Sequence, residues 1–193
     1  MTPPSLAGPA PAPSPPPGVS RLLAAWHRIE CWVAVLSFSF IAAVLMIDVL
    51  GRELYGPVMS LLGMKVGATG LFGSQKLAVF ALVIGSFAGI GIATATGVHL
   101  VPRIGFRWLP AAWSPQVDRI ADLFTGLFLL GVCWYGLQFV LASKASGVLA
   151  AVINVSAWPI QLAIPLGFLS AALRYLVFAV WPALRPVPPE FQE

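Results

Sequence analysis

Four apolar stretches without a single Asp, Glu, Lys or Arg dominate this chain: Cys31 to Ile47, Leu77 to Val98, Leu123 to Ser143 and Ala145 to Leu173. A helix rises about 1.5 Å per residue, so roughly 20 apolar residues cross a 30 Å hydrocarbon core, and each stretch meets or approaches that length. Such runs predict an all-α polytopic membrane protein. The four transmembrane helices fall at about residues 31–50, 77–98, 120–142 and 158–181.

Composition agrees. Hydrophobic residues make up 59% of the chain and charged ones 9%, where a soluble domain carries about a quarter charged. Four spans and their connections consume most of the 193 residues and leave little for a separate catalytic module. The net charge of +4 comes from Lys and Arg at span ends, where it matches anionic headgroups of the lipid bilayer rather than nucleic acid. Cys31 and Cys133 are the only cysteines and both sit in apolar sequence. They read as small hydrophobes, not as a disulfide or metal framework.

The first 18 residues hold eight prolines and no Lys or Arg, a composition that favours a solvated, extended arm. Residues 1–19 are predicted to be disordered, 20–185 to form the membrane domain and 186–193 a tail. A cleaved secretory signal has basic residues ahead of a shorter apolar core. Here the first span is full length and runs into Asp48, Arg52 and Glu53, so it is expected to be retained.

Punctuation places the helices. Ser20 is a candidate N-cap ahead of Arg21 to Glu30, an interfacial turn whose Leu22, Leu23, Trp26 and Ile29 share a face. Ser114 and Pro115, followed by Asp118 and Asp122, suit a helix start, because proline needs no donor there and carboxylates favour the positive end of the helix dipole. Trp158 and Pro159 open the fourth span, and Pro165 inside it is predicted to remove a backbone bond and kink the helix. With four spans both termini share one side. Arg21, Arg28, Arg103, Arg107, Arg119, Arg174 and Arg185 lie there, against Arg52, Lys65, Lys76 and Lys144 opposite, which places both termini in the cytoplasm.

Within the second span Ala81, Gly85, Gly89, Ala93 and Gly97 put a small residue at every fourth position. Ala163, Gly167 and Ala171 repeat the device in the fourth. Lipid gives helices no hydrophobic reason to associate, so close backbone approach at small residues does the work. These residues are predicted to form a packing seam, either within the chain or against another subunit.

A charge in hydrocarbon needs a partner or an escape to the interface. Arg174 is the deepest; it either snorkels or pairs, and Glu30 is its best intrachain partner by depth. Asp48 and Arg52, four apart, either pair along one helix face or anchor another polypeptide. With His99 and Trp158 these residues are the candidate rim or interface positions. A bis-histidine haem between His27 and His99 is a possible arrangement, but haem ligands in membranes sit within spans and these two flank them. A headgroup, carboxylate or subunit contact suits them better. The chain has no HExxH, paired CxxC, phosphate-binding glycine loop or nucleophile–base arrangement, and Gly89 to Gly97 departs from GxGxxG and lies mid-span. No catalytic, cofactor or metal site is predicted. An autonomous carrier or channel also fits poorly, because the spans lack a proton-relay carboxylate and inverted repeats with broken helices.

The order of features over residues 20–185 resembles the small membrane subunit of tripartite ATP-independent periplasmic (TRAP) transporters. The matching pieces are WHRIE (Trp26 to Glu30), IDVLGRELYG (Ile47 to Gly56), a small-rich second span closing in GVHLVPRI (Gly97 to Ile104), and WPIQLAIPLGFLSAALRYL (Trp158 to Leu176). Arg52, His99, Trp158, Pro165 and Gly167 match residues typical of that family. Gln75, Lys76, Val101 and Pro102 depart from its usual acidic positions. The resemblance implies a sodium-coupled importer of organic acids, often a C4-dicarboxylate, in a bacterial inner membrane. A periplasmic binding protein captures the solute, and a large multispan subunit carries it in a moving domain. A chain like this one braces that subunit's static scaffold, and the stretch from Tyr55 to Phe72 helps receive the binding protein.

Overall fold

A computed structural model describes residues 16–64, 67, 69–98, 114–150 and 153–186. Among them four helices are long and apolar enough to cross a membrane, Pro17–Leu61, Ser74–Thr96, Pro115–Ala145 and Trp158–Val180. Most of the proline-rich arm and the end of the tail lie outside the described residues.

Helix α1 (Pro17–Leu50) starts three residues ahead of the predicted cap. Pro16 is the N-cap and Pro17 the first helical residue, a position where proline's fixed φ and missing N–H cost nothing. Ser20 is therefore not a cap; it sits inside the first turn with its hydroxyl donating to the Pro17 carbonyl at 3.0 Å. Residues 17–19 belong to the helix rather than to the arm, and the interfacial turn is continuous with the span. Beyond Leu50 the chain winds into one π-helical turn, Gly51–Tyr55, and continues as α2 (Gly56–Leu61). This 45-residue rod is about 67 Å long at 1.5 Å per residue, roughly twice the hydrocarbon thickness.

Helix α3 (Ser74–Thr96) is bounded by two left-handed glycines, Gly73 at φ 78° and Gly97 at φ 72°, and the second is the usual way to end a helix without straining a Cβ. Helix α4 (Ser114–Ala145) begins at the Ser-Pro pair as the sequence predicts. A short antiparallel hairpin follows, β1 (Leu149–Ala150) against β2 (Val155–Ser156), with Leu149 opposite Ser156. The last span is split into α5 (Trp158–Gln161) and α6 (Ala163–Val180). The break at Leu162 lies one turn before Pro165, where the proline has no N–H to give the Gln161 carbonyl.

The helices form a layer rather than a closed bundle. Helix α1 packs on α3, α3 on α6, and α6 on α4. Small residues set these spacings. A Cβ on Gly85 would stand 3.0 Å from the Ser37 Cβ of α1, and one on Gly126 of α4 2.9 Å from the Leu176 side chain of α6. A Cβ on Gly167 of α6 would stand 2.6 Å from the Phe87 carbonyl of α3. Phe87 and Phe168 meet edge-to-face beside that contact, with ring centroids 5.7 Å apart. The inner helix α6 is the most buried, and Ala171, Ala172, Tyr175 and Phe178 form its core face.

Candidate functional site

The polar centre of the layer is built from three helices. Arg174 projects from α6, Glu30 from α1, and the Gly91 carbonyl from α3. The Arg174 Nη2 reaches Glu30 Oε2 at 2.6 Å, and Nη1 donates to the Gly91 carbonyl and, at 3.2 Å, to Ser170 Oγ. Glu30 Oε1 accepts from the Ser170 hydroxyl and, at 3.0 Å, from the Trp26 indole, which also lies 2.9 Å from Ser170 Oγ. Arg174 is 2% exposed and Glu30 8%.

The local sequence explains the convergence. Trp26 and Glu30 are four apart on α1, Ser170 and Arg174 four apart on α6, so each pair occupies one helix face. Gly91 leaves room: a Cβ there would collide with Glu30 Oε1 and stand 2.9 Å from Ser170 Oγ. A charge buried in this way is tolerable because it is paired and both partners make further hydrogen bonds, and removing one member of such a pair costs about 3–5 kcal/mol. The arrangement consists of side chains bonded to one another and to the Gly91 carbonyl. Its chemistry is that of a fixed joint between helices that lipid alone would not hold together.

Three further ion pairs among the described residues clamp the ends. At one end Asp48 pairs with Arg52 and accepts the Leu71 N–H at 2.8 Å, fixing the loop after α2 onto the π-helical turn. Gly51 and Gly70 make this approach possible, for a Cβ on Gly51 would collide with the Thr69 carbonyl and one on Gly70 would stand 2.7 Å from Asp48 Oδ1. At the other end Arg185, beyond α6, reaches Asp118 Oδ2 at 2.9 Å, the Asp118 carbonyl at 3.1 Å, and Asp122 on the first turns of α4. Burial pulls the Arg185 guanidinium down, but its hydrogen bond to Asp122 and the attraction of Asp122 and Asp118 outweigh it, so its pKa is raised. Lys144 at the end of α4 lies 4.9 Å over the Trp158 ring.

The candidate residues thus separate. Glu30 and Arg174 come together as a buried pair, and Arg174 does not snorkel. Asp48 and Arg52 pair along one helix, and Pro165 is buried against α4, close to Gly136. Ala81 and Gly85 are buried, Gly85 against Ser37 and Phe38 of α1, and Gly167 and Ala171 are buried within α6. Ala93 and Ala163 are half-buried, Gly89 has nothing within 4 Å of its missing Cβ, and Gly97 is the helix terminator beside Pro186. His99 lies outside the described residues. The sequence reading missed Trp26, Ser170 and Gly91 as members of the centre and Arg185 with Asp118 and Asp122 as a clamp. The i, i+4 spacing of Trp26 with Glu30 and Ser170 with Arg174 was the available signal.

Between α1, α3 and the α5–α6 break runs an apolar groove of about 390 Å³, walled by Val33, Ile84, Phe87, Leu162 and Leu166, with the polar centre at one end.

Fold and site together define a multi-pass helical membrane protein whose buried polar residues join three of its helices. Residues 41–184 match the model of the tripartite ATP-independent periplasmic transporters' DctQ component. The chain belongs to that family and is a small subunit of a TRAP transporter. It is also similar to the ectoine TRAP transporter small permease protein TeaB of Halomonas elongata, with 24% identity over 153 residues, 79% of this chain and 73% of the relative. No solved structure matches the chain.

Proposed function

We propose that this subunit braces the static scaffold of a large multispan TRAP membrane subunit in a bacterial inner membrane, with both termini cytoplasmic. The large subunit then moves a periplasmically captured solute in a sodium-coupled cycle. A domain that carries cargo across a bilayer needs a neighbour that does not move with it. The observation supporting the brace is the Arg174–Glu30–Gly91 joint, which ties α1, α3 and α6 at a single buried point. On this reading the loop between α2 and α3, held by Asp48, faces the periplasm and helps receive the substrate-binding protein. The solute is an organic acid, a C4-dicarboxylate or related carboxylate, by resemblance to the family; the relative matched here is named for ectoine.

Gentle detergent purification from native membranes, followed by reconstitution, tests this. The large subunit is expected to accompany the chain, and sodium-driven uptake to require both together with the binding protein. Solute flux through liposomes holding this chain alone would overturn the proposal.

A further inference from the structure

The two edge helices of the layer leave broad faces uncovered, and one of them carries polar side chains at membrane depth. Along α4, Phe124, Phe128, Gly131, Tyr135, Gln138 and Ala142 recur at spacings of four and three, which places them on one face, and all six are exposed. Tyr135 is 76% exposed. From Asp122, held by Arg185, to Lys144 the helix runs about 33 Å at 1.5 Å per residue, close to the hydrocarbon thickness. Tyr135 therefore lies near the middle of the bilayer, far from the interfacial belts where tyrosine is at home, and Gln138 stands about 9 Å inside the nearer boundary.

Neither side chain makes a hydrogen bond among the described residues. Gln138 has no easy escape, because side chains lean toward the N-terminus of their helix, here deeper into the membrane. Polar groups at that depth are unfavourable in lipid and join helices when a partner supplies the complementary bond. Between Phe128 and Tyr135 the exposed Gly131 leaves a notch with nothing within 4 Å of its missing Cβ, a surface on which another backbone can approach closely. The outer edge of α1 lacks this polarity. Between Trp32 and Ile47 its polar residues are Ser37, packed on Gly85, and Ser39, and a helical serine can satisfy itself on its own backbone.

We propose that the outward face of α4 is the docking face for a transmembrane helix of the large subunit, which crosses at the Gly131 notch and bonds Tyr135 and Gln138. This rests on the reading of the chain as a scaffold brace. It names the surface through which bracing acts.

The test uses the chain in native membranes. A photo-crosslinking phenylalanine analogue replaces Phe124 or Phe128, and in parallel Trp32 or Leu36 on α1. Adducts identified by mass spectrometry as the large subunit are expected from the α4 positions and not from the α1 positions. Gly131→Leu and the Tyr135→Phe, Gln138→Leu double variant are expected to lose the co-purifying large subunit. Their own melting in detergent should be nearly unchanged, since they break no hydrogen bond within the described residues. Adducts to the large subunit from α1 alone, or α4 adducts only to lipid or to a second copy of this chain, would overturn the docking face and leave the brace standing. Absence of the large subunit from the unsubstituted preparation would remove both.

Discussion

Arg174 carries the largest consequences of any single residue. Its guanidinium is engaged on three sides, by Glu30, the Gly91 carbonyl and Ser170, so truncation strands a carboxylate and a carbonyl. Arg174→Met alone is expected to cost about 3–5 kcal/mol, whereas Glu30→Leu with Arg174→Met is expected to restore most of it, because a buried pair replaced by apolar side chains is often neutral. Melting in detergent for the two single variants and the double checks this; a double variant as unstable as the sum of the singles would contradict it. The depth of the two charges made their pairing legible in the sequence. Trp26, Ser170 and the Gly91 carbonyl were not legible, because their convergence depends on how three helices cross, and no spacing within one helix encodes a crossing.

At the scale of the element, the small-residue stripe of α3 shows why a sequence pattern and a contact surface diverge. Each four-residue step turns about 40° round a helix of 3.6 residues per turn, so Ala81 to Gly97 sweeps about 160°. Gly85 therefore faces α1, while Gly89 has turned into open space. The glycine that matters most at the centre, Gly91, stands off the stripe and meets α1 and α6 together. Gly91→Ala is expected to break the Glu30 contact and cost about 3 kcal/mol or more. Gly89→Ala, unobstructed, is expected to be neutral or to gain about 0.5–1 kcal/mol from reduced backbone freedom in the unfolded chain. The two midpoints in a detergent melt should differ accordingly. Equal losses would show that the open space beside Gly89 is filled in the membrane. Helix starts at Ser114 and Trp158 were readable because their prolines fix φ. The true start of α1 was hidden because the same residue type that opens a helix also fills the arm before it.

Across the whole molecule, the four-span plan was legible because bilayer thickness fixes the length of an apolar run. The order in which the spans pack was not, since that order is set by glycine contacts between residues far apart in the chain. The proposed orientation rests on charge: Arg21, Arg28, Arg119 and Arg185 fall on the side of the termini, opposite Arg52, Lys76 and Lys144. A cysteine introduced by Ser20→Cys, in a chain lacking Cys31 and Cys133, is expected to react with a membrane-impermeant thiol reagent in inside-out vesicles. One introduced by Gln75→Cys is expected to react in right-side-out vesicles, and the reverse labelling would invert the topology.

The side-by-side arrangement of α1, α3, α6 and α4 has a final consequence. A row of rods offers two flanks and two ends, each a surface for a neighbour to lie against. On the proposed reading, cargo crosses the bilayer beside that row, in a conduit whose walls belong to the large subunit.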